Sequence, residues 1–276
     1  MNASPATHAA SSGVTAFYRE HGYYFPLRAI EETKAADIRR RLEAFESAQG
    51  EPLKKEHRQK THLLFPWLAD LVREPRILDV VQEIVGPDIL VWQTAFFIKE
   101  AGDTGFVSWH QDSTYWGLSE PEVVTAWVAL SPSTQQSGCV KVVPGTHLLD
   151  QVPHKETRAA DNLLTRGQEI AVSVDESKVL NMPLMPGEMS LHHIRTFHSS
   201  EPNRSKDRRI GFAIRYIPTR IRQTQMAGDS ATLVRGVDRF GHFTLEQTPS
   251  ADFDAQAVAY HHQVMGQRRS IYGRGD

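Results

Sequence analysis

Arg208-Arg209-Ile210-Gly211-Phe212-Ala213-Ile214-Arg215-Tyr216 alternates from end to end like a β-strand. Successive side chains of a strand point to opposite faces. Arg208, Ile210, Phe212 and Ile214 therefore share one face, and Arg209, Gly211, Ala213 and Arg215 share the other. An arginine turned inward is costly to bury without its counter-charge, so the second face predicts an anion. Further short apolar runs between turn residues predict strands at 89–99, 106–112, 122–130, 138–143, 178–184 and 188–200, with 207–217 holding the run just quoted. Ahead of them, Glu31 to Ser47 sets Ile38, Leu42 and Phe45 at helical spacing and stops at Gly50. Arg76 to Ile84 sets Ile77, Leu78, Val81 and Ile84 on one side and ends at Gly86-Pro87. Helices first and strands after predict a mainly β chain with flanking helices. The expected core is a double-stranded β-helix, a cupin-like jelly roll with helices buttressing one sheet. The expected organisation is one domain over 1–276: a disordered lead-in over 1–13, helical support over 14–88, the jelly roll over 89–220 and a C-terminal extension over 221–276. Residues 148–177, polar and weakly patterned, read as a flexible lid.

Trp109-His110-Gln111-Asp112 lies in one of these runs. Positions i and i+2 of a strand face the same way, so His110 and Asp112 can reach one metal together. His198 adds a second imidazole. Two imidazoles and a carboxylate on one face of an octahedron leave three positions open, the facial triad of Fe(II) oxygenases. In isolation an H-x-D triplet is ordinarily a solvated loop and a lone histidine an ordinary strand residue, so the neighbouring sequence decides.

That sequence is Pro186-Gly187-Glu188-Met189-Ser190-Leu191-His192-His193-Ile194-Arg195-Thr196-Phe197-His198-Ser199-Ser200-Glu201-Pro202-Asn203-Arg204-Ser205, followed by the arginine strand. It resembles the phytanoyl-CoA dioxygenase family of Fe(II)/2-oxoglutarate oxygenases. There the distal histidine opens an H-x-S-x-x-N-x-S stretch, matched by His198, Ser200, Asn203 and Ser205. An arginine eleven residues after that histidine anchors the far carboxylate of 2-oxoglutarate, and Arg209 stands at that offset. Gly138-Cys139-Val140-Lys141-Val142-Val143-Pro144-Gly145-Thr146-His147 is similar to the family's G-x-L-x-x-x-P-G-S-H turn, and Phe17-Tyr18-Arg19-Glu20-His21-Gly22-Tyr23 to its opening. The resemblance implies that His110, Asp112 and His198 hold Fe(II). It also implies that Gln111, Trp127 and Ser200 line the 2-oxoglutarate pocket, with Gln93 a weaker match. Lys54, Lys55 and Lys60 lie where a cosubstrate-binding lysine would be sought. The implied activity is a 2-oxoglutarate-dependent dioxygenase: with O2 it hydroxylates an unactivated C–H bond of a small-molecule metabolite and releases succinate and CO2. Desaturation, cyclisation or epimerisation at the same site is the alternative. A non-catalytic cupin-like metal or ligand sensor is the rival from another class, and it has no use for Arg209. A structural Zn(II) or Ni(II) site would leave the open positions unexplained. Halogenating relatives carry a small residue in place of the carboxylate, so Asp112 implies oxygen transfer.

His192 and His193 pose a register question. Counting back from His198 along a regular strand puts His192 on the ligand face, whereas the resemblance favours His193. Arg215 is expected in a surface salt bridge near the barrel end in preference to a substrate anion. Tyr115 and Trp116 are candidate pocket walls, His147 a turn residue, and Lys54 to Lys60 a solvated charged face. A net charge of −2 over 276 residues makes no electrostatic case for nucleic acid or anionic membrane. No apolar run approaches the ~20 residues needed to span a bilayer, and Met1-Asn2-Ala3-Ser4-Pro5 lacks the basic and apolar regions of a signal peptide. The single cysteine, Cys139, excludes an internal disulfide and fits a reducing cytoplasm. The expected partner is a small-molecule substrate, with no nucleic acid and no membrane; oligomeric state has no signature in the sequence.

Overall fold

The computed structural model describes residues 5–157, 161–164 and 167–272, the side chains of 5–12, 115 and 269–272 excepted. The chain opens with α1 (Pro5–His21), β1 (Tyr23–Arg28), α2 (Glu32–Gln49), α3 (Pro66–Leu71) and α4 (Pro75–Val85). Proline begins both α3 and α4, where its fixed φ suits a first turn and its missing N–H costs nothing. Gly50 closes α2 at φ 73°, a left-handed position that its backbone N–H uses to cap the carbonyl of Ser47. Then follow β2 (Ile89–Lys99), β3 (Val107–His110), β4 (Val124–Ala129), β5 (Val140–Val142), β6 (His154–Glu156), β7 (Gln168–Ile170), β8 (Leu180–Met182), β9 (Glu188–His193), β10 (His198–Ser200) and β11 (Arg209–Pro218). β12 (Ser230–Arg235), β13 (Thr244–Leu245) and α5 (Ala255–Tyr272) complete it.

The large sheet runs β1-β9-β4-β11-β2-β12-β13 and the small one β3-β10-β5-β8, with β6 and β7 forming a separate hairpin. The arginine strand β11 is central, antiparallel to β2 on one side and β4 on the other, and buried along its whole length. Its apolar face, Ile210, Phe212 and Ile214, joins Ile38 and Leu42 of α2, Leu68 of α3 and Val81 of α4 in one core. On the opposite side Ala213 packs with Tyr23 and Trp127 of the large sheet and Val140, Val142 and Met182 of the small one. Helices, large sheet and small sheet thus form three layers, the jelly roll with buttressing helices that the alternation predicted.

Three expectations change. The run 188–200 is two strands in two sheets: β9 stops at His193, and the chain turns through Ile194–Phe197 before β10. Tertiary contacts hold that corner, with Thr196 Oγ1 donating to Gly22 O at 2.7 Å and Phe197 N–H to Thr146 Oγ1 at 2.9 Å. The disordered lead-in is corrected from Pro5 onward, where α1 begins; Met1 to Ser4 lie outside the described residues. The jelly roll also recruits strands from both flanks, because β1 completes one edge of the large sheet and β12 covers β2 on the other. The segment read as a lid carries the β6–β7 hairpin, tied to the small sheet by Ser108 Oγ donating to Gln168 O at 2.6 Å. No helix among the described residues is long and apolar enough to cross a membrane.

The C-terminal strands are locked on by charge. Lys60 and Glu246 pair with both side chains fully buried, and Glu246 also takes His62 Nε2 at 3.2 Å and Thr232 Oγ1 at 2.6 Å. Removing one partner of such a pair leaves the other charge buried alone. Glu246→Gln is therefore expected to destabilise the fold by ~3–5 kcal/mol, measured by urea unfolding. A loss within error of zero would show that the pair is not holding the C-terminal strands in place.

Candidate functional site

β3 and β10 are neighbours in the small sheet, in a register that sets His198 opposite His110. Their rings meet at a centroid distance of 4.0 Å. Asp112 lies just past the end of β3, at the start of a short 3-10 turn, its N–H bonded to Ile194 O at 3.0 Å. Its Oδ1 is 3.4 Å from His110 Nε2 and 4.0 Å from His198 Nε2. His110 Nδ1 faces the carbonyls of Ser108 (2.9 Å) and His198 (3.1 Å), and His198 Nδ1 that of Thr196 (3.0 Å). A carbonyl can only accept, so each Nδ1 holds the proton and each Nε2 turns a lone pair into the shared gap. Burial keeps the His198 imidazole neutral. Burial also opposes ionisation of Asp112, yet the contact with His110 and the fields of His198 and Arg215 hold its carboxyl below the usual range. Asp112 Oδ2 is buried without a hydrogen-bond partner. Two lone pairs and an ionised carboxylate, all within 4.8 Å of one another, are the donor set of a divalent ion such as Fe(II).

The cavity beside the triad encloses about 440 Å³, counting solvent at its mouth. Arg209 lies in it at 1 % exposure. Its Nη1 donates to Gly138 O at 2.8 Å, its guanidinium sits 5.2 Å from the Trp127 ring, and its Nε has no partner. Gly211 makes room for that indole, since a Cβ there would stand 1.8 Å from Trp127. Directly across on β2 is Lys99, fully buried, donating to Ser200 Oγ at 2.8 Å and to the carbonyl of Glu201. Among the described residues no carboxylate is ion-paired with Arg209 or Lys99. Burial lowers Arg209 to about 10, and burial together with the Arg209 charge lowers Lys99 to about 6. A buried arginine without a counter-charge among the described residues, with a second basic group beside it, makes a carboxylate site.

Trp127, Ser200 and Arg209 line the cavity together with His110, Asp112 and His198. Gln111 and Gln93 do not. Gln111, between two residues that face the metal gap, points the other way. Its Oε1 accepts from Gln151 Nε2 and Val152 N–H, each at 2.9 Å, and its Nε2 donates to Arg195 O at 3.0 Å. Gln93 is engaged by Gln59 at 3.1 Å and Arg268 at 3.0 Å. His192 lines the cavity, 4.7 Å from the His198 ring, whereas His193 packs beside His147. His147 holds its turn through Nε2 and the carbonyl of Arg19 at 3.0 Å. Lys60 belongs to the Glu246 cluster, and the lysine beside Arg209 is Lys99, which stands behind the cavity-lining Ser200. Its signal was a lone lysine closing the apolar run Ala95-Phe96-Phe97-Ile98-Lys99. Arg215 makes no salt bridge among the described residues. It is buried and lies between the rings of Phe97 at 5.7 Å and Trp116 at 5.3 Å. The side chain of Tyr115 lies outside the described residues.

Residues 18–211 match the family model described as Phytanoyl-CoA dioxygenase (PhyH). A curated protein of Stutzerimonas stutzeri, "Probable alpha-ketoglutarate-dependent hypophosphite dioxygenase", is 28 % identical over 177 residues, 61 % of each chain. The chain thus spans about three fifths of that relative's length. The L-proline trans-4-hydroxylase of Streptomyces griseoviridis is 29 % identical over 82 residues, 28 % of this chain and 31 % of that protein. Among solved structures, the non-heme monooxygenase ThoJ in its apo form superposes with a TM-score of 0.83 at 34 % identity, over 95 % of this chain and 98 % of that one. CytC3 with Fe(II) and alpha-ketoglutarate gives 0.62 at 26 % identity, over 92 % and 96 %.

The paired cations set a proton-linked expectation. With its value lowered to about 6, Lys99 is mostly neutral at pH 7 in the empty pocket. An anion alongside favours the ammonium form. Binding of a dicarboxylate such as 2-oxoglutarate is therefore expected to take up protons and to weaken as pH rises above about 6. Calorimetry in buffers of different ionisation enthalpy reads this directly; proton release on binding would contradict it.

Proposed function

The chain belongs to the phytanoyl-CoA dioxygenase family, and on that premise we propose that it is an Fe(II)- and 2-oxoglutarate-dependent dioxygenase that hydroxylates a C–H bond of a small metabolite. One observation carries this reading: the divalent-ion triad and Arg209, which has no ion-pair partner among the described residues, line the same cavity. Fe(II) held by His110, Asp112 and His198 would supply the activation of O2 that splits 2-oxoglutarate into succinate and CO2 and transfers an oxygen atom to the substrate.

The protein's own part is placement and exclusion. The backbone carbonyls of Ser108, Thr196 and His198 fix both imidazoles so that each Nε2 would be free to hold the metal. Arg209, braced by Gly138 O, offers a planar fork to the far carboxylate of 2-oxoglutarate. Lys99 adds charge from behind Ser200, and Trp127, Val107 and Val140 give that carboxylate an apolar surround that keeps water off the site. A metal sensor would need the triad alone, so the carboxylate pocket supports the oxygenase reading over it. Use of the same site for desaturation, cyclisation or epimerisation depends on which substrate atom is held toward the metal. The buried, unbridged thiol of Cys139 supports placing the enzyme in the reducing cytoplasm.

Anaerobic addition of Fe(II) and 2-oxoglutarate to metal-free protein is expected to produce the weak visible charge-transfer band of the chelate. Asp112→Ala is expected to abolish the band and succinate formation while keeping the native circular dichroism; an active Asp112→Ala enzyme would remove the triad from the mechanism. Arg209→Met is expected to raise the Kd for 2-oxoglutarate by roughly 30- to several-thousand-fold, the equivalent of ~2–5 kcal/mol for a desolvated charge pair. Arg208→Met is the control, because Arg208 faces away and pairs with Glu46 and Glu100. If Arg208→Met weakens binding and Arg209→Met does not, the pocket is on the wrong face.

A further inference from the structure

Four adjacent strands of the large sheet bring Gln93, Arg215, Thr125 and His192 into one row. Arg215 is in register with Gln93 of β2 and Thr125 of β4, and Thr125 with His192 of β9. Residues directly opposite each other share a face of the sheet, and Arg215, Thr125 and His192 all line the cavity beside the triad. The amide of Gln93 is already engaged by Gln59 and Arg268. The other three have atoms to spare: Arg215 Nε, Thr125 Oγ1 and His192 Nδ1 are buried without a hydrogen-bond partner among the described residues, in residues 7 %, 1 % and 2 % exposed.

Among the described residues no carboxylate lies within ion-pair distance of Arg215. Asp112 is the anion nearest in effect, and a metal in the triad would claim it. The faces of Phe97 and Trp116 orient the guanidinium, but they do not replace the hydrogen bonds it gave up on leaving water. Nor does 2-oxoglutarate held at Arg209 account for it. The two arginines are six residues apart on β11, about 20 Å of strand, so a carboxylate held at Arg209 does not also reach Arg215. One guanidinium flanked by a hydroxyl and an imidazole complements a monoanion with two acceptor oxygens. A doubly charged phosphate would stay half uncompensated.

We propose that Arg215, Thr125 and His192 form a second carboxylate seat, which holds the acid group of the molecule to be oxidised and so selects the C–H bond presented to the metal. The seat rests on the oxygenase reading, and the test separates the two. First, 2-oxoglutarate is titrated into the Fe(II) proteins without oxygen. The Kd of Arg215→Met is expected within about 3-fold of wild type, because the anchor is Arg209. Next, melting of the Ni(II) proteins is followed with saturating 2-oxoglutarate and rising propionate, against propionamide at ionic strength matched with chloride. Propionate, and not propionamide, is expected to raise the Tm of wild type; Arg215→Met should respond to neither, and Thr125→Val to propionate only at about 10-fold higher concentration. Should Arg215→Met fail to fold, Arg215→Gln takes its place. Equal responses to acid and amide, or an undiminished propionate response without Arg215, overturn the seat. So does a 2-oxoglutarate Kd raised about 10-fold or more in Arg215→Met, which would assign the anion to the cosubstrate. A wild-type protein that forms no band at all brings down the oxygenase reading and the seat with it; a normal band without acid preference brings down the seat alone.

Discussion

The pairing of β3 with β10 is the constraint on which the site depends. Both strands are short, and their register sets His198 opposite His110 where the two rings can converge. The pairing does more than bring them close. His110 Nδ1 bonds the backbone carbonyl of His198 itself, so one ligand orients the other. A slip of one residue in either strand would turn that strand's imidazole out of the gap. β5, on the far side of β10, pairs with the same three residues and holds the register from behind.

The large sheet makes a different contribution. Its central strand is anchored through one face in a helix-covered core, and that anchorage lets the other face carry what a core ordinarily rejects. Arg209, Lys99 and Arg215 are buried with donors or charge left over. Apolar area buried on the helix side offsets the cost of desolvating them. The price is concentrated where ligands bind, so the empty protein is less stable than its fold alone would allow.

How much of this the sequence disclosed follows from the range of the forces involved. The two faces of β11 were legible because strand alternation is local and needs no partner. The triad was legible because two of its members are i and i+2 and the third sits in a recognisable stretch; the same parity rule applied to Gln111 would have turned it away from the cavity. The break between β9 and β10 was hidden, because the contacts that hold the corner come from Gly22 and Thr146, far off in the chain. His192 faces the cavity as the count back from His198 suggested, although the two lie on strands of different sheets and the agreement in parity is accidental. Lys99 was not singled out, and Arg215 was misplaced, for a common reason. A charged residue at the end of an apolar strand is usually solvated, and only the register across β2, β11 and β4 shows that these two are enclosed.

Gln111 carries a consequence for how the site responds to its metal. Its side chain is fastened to the backbone at Val152 and to Gln151, while its own N–H donates to His154 at 3.0 Å. The chain from 151 to 154 is therefore riveted to the peptide that separates two metal ligands. Rigidity at one place is shared with the other, and free energy passed in one direction must pass equally in reverse. A metal held by the triad would thus be coupled to the order of residues 151–154, through a glutamine that would not itself touch the ion.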